Sequence, residues 1–197
     1  TAVHVDNNAP GVVMTHSIVF GENATINAGL YALYSGYQQL SLAVGSRVDV
    51  ENAGELTSRD STAVFLFGTE NIVFNNSGSV RSLDTDSSYS QAVTFYLAKN
   101  ISLNNSGTIT NVATTMPEFV NGIENVATIS MNFGNENSVM VNSGVISSAQ
   151  WAYYSLSSVS ESFTNTGDIF GSMFMSDNSA VSSKLINNGL IDGDVLM

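Results

Sequence analysis

Six times along this chain an apolar residue, a spacer, Asn, a spacer, Gly, a spacer and a second apolar residue follow one another. The copies are Val50-x-Asn52-x-Gly54-x-Leu56, Phe74-x-Asn76-x-Gly78-x-Val80 and Leu103-x-Asn105-x-Gly107-x-Ile109. They continue as Met140-x-Asn142-x-Gly144-x-Ile146, Phe163-x-Asn165-x-Gly167-x-Ile169 and Leu185-x-Asn187-x-Gly189-x-Ile191. A weaker copy, Asn27-x-Gly29-x-Tyr31, is expected to open the series. Successive glycines then lie 25, 24, 29, 37, 23 and 22 residues apart. A period in this range, with apolar residues two apart, is the mark of a solenoid.

Apolar residues at period two flank each Asn-x-Gly unit, so one strand enters the unit and another leaves it. Leu103 and Ile109 are expected to face inward on either side of the corner. Glycine there is expected to supply a left-handed backbone conformation that other residues reach only at a cost. Asn one step earlier can bond nearby backbone, and asparagines stacked on successive rungs can bond amide to amide as a ladder. A third strand per turn is visible in Ala63-Val64-Phe65-Leu66-Phe67, in Ala92-Val93-Thr94-Phe95-Tyr96-Leu97 and in Met173-Phe174-Met175. The fold class that follows is all-β: a right-handed parallel β-helix of about seven rungs, each of three short strands, about 34 Å tall at strand spacing.

The whole chain of 197 residues is expected to form one solenoid. Residues 1–25 lack the motif but carry strand-like runs, with Pro10-Gly11 as a turn, and are read as N-terminal cap and first rung. Residues 26–197 hold the repeats. Two rungs are longer than the rest, and because stacked rungs must stay in register the surplus loops out, near 83–90 and 112–124. No cap is recognisable after Ile191, and the natural protein is expected to continue past Met197. With no leader at Thr1, the chain reads as a mature or excised segment.

Five Lys plus Arg stand against 17 Asp plus Glu, a net charge of −12. Such an acidic chain is not built to bind nucleic acid or an anionic membrane surface. There is no cysteine, which removes disulfides and thiolate metal sites. No apolar run of about 18 residues is present to span a membrane as a helix.

The repeated Asn-Ser-Gly-x-Ile pattern, with strands between, resembles the passenger domains of bacterial autotransporters, particularly AidA-like adhesins, over roughly residues 26–191. The resemblance implies a cell-surface or secreted protein of a Gram-negative bacterium, exported through a C-terminal β-barrel. It also implies roles in adhesion, autoaggregation and biofilm formation, or, in other members, protease or toxin activity.

Catalytic chemistry finds little footing. A glycosidase needs two carboxylates across the scissile bond; the tightest pair, Asp84 and Asp86, lies in a loop. The basic side chains are Arg47, Arg59, Arg81, Lys99 and Lys184, without the Gly-His-Gly and Arg-x-Lys motifs of polygalacturonases. His4 and His16 are the sole histidines, both in the cap region, and no Gly-x-Ser-x-Gly turn accompanies them. Asp84-Thr85-Asp86 and Asp192-Gly193-Asp194 read as solvated acidic loops rather than calcium sites. No metal or other cofactor is expected. Trp151, Tyr153 and Tyr154 invite a sugar-stacking role, yet Phe65 with Phe67, and Trp151 with Tyr153, alternate as core residues do. Tyr154 and Tyr89 are the aromatics expected at the surface.

The expected function is therefore a non-catalytic structural or adhesive module. Its partners would be a host-cell or bacterial surface protein or glycan, with self-association through the open end. The alternatives are a glycan-processing β-helix and a toxin passenger. The loop around 114–122 is the candidate binding loop, because its length exceeds what the core needs. Met116, Pro117 and Phe119 offer apolar contacts there, and Glu118 and Asn121 offer hydrogen bonds.

Overall fold

The computed structural model describes residues 1–6, 13, 15–36, 43–85, 90–114, 126–132, 134–177 and 183–197. Among these, all regular structure is β, and the named strands pair parallel. Strands come in repeating triplets that build three faces of a solenoid. The first face stacks β1 (Val3–Asp6), β4 (Leu33–Gly36), β7 (Val64–Phe67), β10 (Gln91–Tyr96) and β13 (Ala127–Asn132). The second stacks β2 (Thr15–Phe20), β5 (Ala43–Asn52), β8 (Thr69–Asn76), β11 (Ile101–Asn105) and β14 (Glu136–Asn142). The third stacks β3 (Thr25–Ala28), β6 (Glu55–Ser58), β9 (Ser79–Ser82) and β12 (Thr108–Asn111).

Above these, β15 (Val145–Asn165) runs through all three faces without a break, and β16 (Asp168–Asp177) runs through two. The stack ends in β17 (Lys184–Asn187), β18 (Leu190–Asp192) and β19 (Val195–Leu196). Within the first 28 residues, β1, β2 and β3 each supply one strand to one of the three faces.

Parallel register puts like on like. On the second face Ile18, Val50, Phe74, Leu103, Met140, Phe163 and Leu185 form one inward column. On the third, Ile26, Leu56, Val80, Ile109, Ile146, Ile169 and Ile191 form another. Every member is fully buried except the pair at each end of the stack, which is only partly covered. Each fully buried Leu, Ile or Phe stabilises the fold by roughly 1.5–3 kcal/mol relative to exposure.

Between these columns runs a line of amides. Asn52 Nδ2 donates to Asn76 Oδ1 at 2.7 Å, Asn76 to Asn105 at 2.7 Å, and Asn105 to Asn142 at 2.8 Å. Asn142 donates to Asn165 and Asn165 to Asn187, both at 2.8 Å. Each of these donors also reaches the carbonyl of its own corner glycine, and a carbonyl on the next turn such as Thr108 O at 3.3 Å from Asn76. Asn52 through Asn165 are buried.

The corner glycines serve a different purpose from the one the motif suggested. Among the described glycines, positive φ occurs at Gly45, Gly68, Gly134 and Gly171, and at none of the motif glycines. What the motif glycines supply is room. A Cβ at Gly78, Gly107, Gly144, Gly167 or Gly189 would stand 2.1 Å from the carbonyl oxygen of the glycine one turn earlier. Gly54 meets Ala24 O at 2.3 Å in the same way. These oxygens are backbone and cannot swing aside.

Asn27-x-Gly29 does not open the series. Asn27 lies on the third face in register with Thr57, while the position under Asn52 is held by Phe20. The corner there is also wider: Gly21, Glu22, Asn23 and Ala24 separate β2 from β3, where Ala53 and Gly54 alone separate β5 from β6.

Two contrasts test this account by denaturant melts. Gly107→Ala should destabilise by about 2–3 kcal/mol through overpacking against Gly78 O. Gly21→Ala, with no atom within 4 Å of its added Cβ, should stay within about 0.5 kcal/mol. Asn105→Ala strands a buried donor on Asn76 and a buried acceptor on Asn142, and should cost about 2–4 kcal/mol. Asn187→Ala, at an exposed position, should cost under about 1 kcal/mol.

Candidate functional site

With the interior filled, hydrogen-bonding groups open to a ligand lie on the outward positions. On the second face Glu51, Asn75, Asn104 and Val141 stack in register, one per turn. Asn75 Nδ2 donates to Glu51 Oε1 at 2.6 Å, and Asn104 Nδ2 donates to Asn75 Oδ1 at 2.7 Å. The spacer of the Asn-x-Gly motif supplies Ser77, Ser106 and Ser143 beside this row. Their hydroxyls donate to the carbonyls of Asn52, Asn76 and Asn105 one turn back, at 3.3–3.4 Å. The two rows border a shallow groove of about 260 Å³ running up the stack. Its lining is amide and hydroxyl, with one carboxylate, Glu51, and the apolar Val141.

A second outward amide row begins the same face. Asn100 Nδ2 donates to Asn71 Oδ1 at 3.1 Å, and Asn137 Nδ2 to Asn100 Oδ1 at 3.2 Å. Asn100 and Asn137 have φ of +48° and +55°, a left-handed region that Asn enters more readily than most residues. Lys99 and Glu136 pair beside them at 2.8 Å on the surface.

The aromatic residues divide differently from the sequence expectation. In β7 it is Val64 and Leu66 that enter the core; Phe65 lies on the other face, only partly buried, stacked on Tyr34 with ring centroids 5.5 Å apart. Phe67 keeps to that outer side and meets Tyr96 edge-on at 5.2 Å. In β15 the register shifts between Trp151 and Tyr153, so Tyr153 alone turns fully inward, against Phe163. Tyr154 is not exposed: it is 4 % accessible, stacked on Phe174 at 5.0 Å with Trp151 edge-on to both. With Tyr153 sealed inside, the three do not form a sugar platform.

The candidate loop residues Met116, Pro117, Glu118, Phe119 and Asn121 lie outside the described residues, as do Asp86 and Tyr89. Asp84 is buried, while Asp192 and Asp194 are exposed. No group of three metal-ligating side chains occurs among the described residues. His4 is exposed and edge-on to Tyr34 on the first face, whereas His16 belongs to the second.

One polar residue escapes the sequence reading altogether. Glu161 is 2 % accessible, and neither carboxylate oxygen has a hydrogen-bond partner. It occupies the inward position four residues before a ladder Asn, which lower in the stack holds Val48, Ile72 and Ile101. Ser138 lies in register below it, and Ser183 sits at the same offset above. Both hydroxyls are likewise buried without a partner. Burial away from water disfavours the charged form and pushes the Glu161 carboxyl up to about 8.

A carboxyl that titrates near 4.3 when unfolded and near 8 when folded binds its proton more tightly in the native state. Its contribution is fully present below the lower value and is lost as pH rises toward the upper one. Stability should therefore fall from about pH 5 to pH 8, by at most about 1.4 kcal/mol per pH unit. Urea melts across that range check it: Glu161→Gln should remove most of the slope between pH 6 and 8, whereas an unchanged slope assigns it to other groups. No family model, curated protein or solved structure matches this chain.

Proposed function

We propose that this chain is a non-catalytic adhesive module. In this reading it is a right-handed solenoid of about seven turns, borne at the surface of a Gram-negative bacterium, or secreted by it, as part of an autotransporter passenger. The observation that carries the reading is the groove beside Glu51, Asn75 and Asn104. Its amides and hydroxyls recur turn by turn at the spacing of the strands, about 4.8 Å. Amides and hydroxyls both donate and accept, as do the hydroxyls of a sugar. The ligand class that fits is a glycan chain on a host or neighbouring cell, laid along the stack. Repetition of weak contacts over several turns raises affinity without any deep pocket.

Binding rather than cleavage suits the groove because hydrolysis needs two carboxylates placed across the scissile bond, and Glu51 stands as the single carboxylate in its lining. The test is a glycan panel and cultured cells probed with labelled protein. Asn75→Ala with Asn104→Ala should weaken binding tenfold or more with little change in melting temperature. Undiminished binding by that variant would remove the groove from the account. Retained binding to cells stripped of glycans would replace the glycan by a surface protein, and shortening of a bound glycan would replace adhesion by hydrolysis.

A further inference from the structure

Glu161 is a buried carboxyl without a cationic partner among the described residues. It is 2 % accessible, and neither of its oxygens accepts a hydrogen bond. The described ion pairs, Arg47 with Asp49 and Lys99 with Glu136, lie on the surface. Lys184, on the turn above, is exposed. A bare carboxylate in an interior is costly unless something neutralises it.

The neighbouring turn offers an oxygen as well. Ser138 lies in register one turn below Glu161, is 1 % accessible, and its hydroxyl has no partner either. The two side chains leave the backbone alike: the residue before Ser138 has φ of +55° and the residue before Glu161 has +57°. Serine is smaller than the Val48, Ile72 or Ile101 that fills this column lower down, so side-chain volume is missing beside the carboxyl. The hydroxyl of Tyr153, turned inward in the same turn and packed on Phe163 at 5.0 Å, is a further buried oxygen without a partner. Gaps that stay dry are apolar; a polar one takes up water or an ion.

We propose that Glu161 and Ser138 form an interior site for one monovalent cation of sodium size, held between their two turns. Charge selects the valence: a single carboxylate neutralises a monovalent ion, whereas a divalent ion would leave net positive charge buried. Spacing selects the size. Successive turns lie about 4.8 Å apart, and sodium, close to calcium in radius, holds its oxygens at about 2.4 Å. One ion between the turns therefore reaches the carboxylate and the serine hydroxyl together, with water completing its shell. Carboxylate, hydroxyl and water oxygens suit such a hard cation, so no cluster of carboxylates is required. When the ion enters a protonated site, the carboxyl proton leaves to solvent. This inference does not depend on the glycan reading.

The test compares urea melts of the full chain in sodium chloride and in tetramethylammonium chloride at one ionic strength. The pH is held at about 9, above the value near 8 to which burial pushes the carboxyl. Each tenfold rise in sodium past its dissociation constant should add about 1.4 kcal/mol to the unfolding free energy, and the sodium NMR resonance should broaden on binding. Glu161→Gln should abolish both effects. Ser138→Ala should move their onset to at least tenfold higher sodium. Glu161→Leu, which gives this turn the apolar filling of the lower ones, should also be indifferent to sodium, and decides the matter where the Gln variant does not fold. Equal stabilisation by the two salts would mark screening of the net charge of −12 and overturn the proposal. So would a sodium effect that survives the loss of Glu161, an onset unmoved in Ser138→Ala, or a larger Glu161-dependent effect of calcium.

Discussion

Everything in this molecule depends on how closely one turn can approach the next at the Asn-x-Gly corner. The glycine of each turn rests on the carbonyl of the glycine beneath, with no space for a methyl group. That contact fixes the height of a turn at the one place where the chain changes direction. Once corners are superimposed, parallel register follows on both flanking faces, and each inward residue meets its counterpart one turn away. The buried asparagines then fall within hydrogen-bonding distance of each other without further adjustment. Steric exclusion sets the register, and the amide ladder makes any slip costly, since a shift of one residue would strand buried donors and acceptors together.

This hierarchy explains which parts of the fold the sequence discloses. The motif discloses the second and third faces, because its apolar, Asn and Gly positions all answer to a repeated geometric demand. It misleads about the reason for glycine: crowding by a neighbouring turn is a property of the stack, whereas local sequence suggests only a turn conformation. It also misleads at Asn27, where the residue types are right and the face is wrong; only the pairing of Phe20 with Asn52 settles the phase. The first face was visible as strands but not as orientations. In Val64-Phe65-Leu66-Phe67 both parities are apolar, so alternation carries no information, and at Trp151–Tyr153 a shift in register breaks the alternation itself.

The candidate sites were less legible, for two separate reasons. Outward residues answer to no packing demand, so Glu51, Asn75 and Asn104 leave no pattern in the sequence beyond polarity. Glu161 did leave a signal. The position four before each ladder Asn reads Val48, Ile72, Ile101, Ser138, Glu161, Ser183, and its change from apolar to polar halfway up the stack marks a polar interior there.

That change makes this one inward column physically unequal along its length. Below, the position four before each ladder Asn is filled by Val48, Ile72 and Ile101, which pack in few rotamers. Above, Met131, Met140, Met173 and Met175 share the core with Ser138, Glu161 and the hydrogen-bonded pair Ser155 and Ser158. Methionine fills irregular space at the cost of definition, and unpartnered buried oxygens oppose the fold. Local openings in a repeat stack begin where turns are least well held, and the buried, unpartnered oxygens of Ser138 and Glu161 weaken the hold of the turns that carry them.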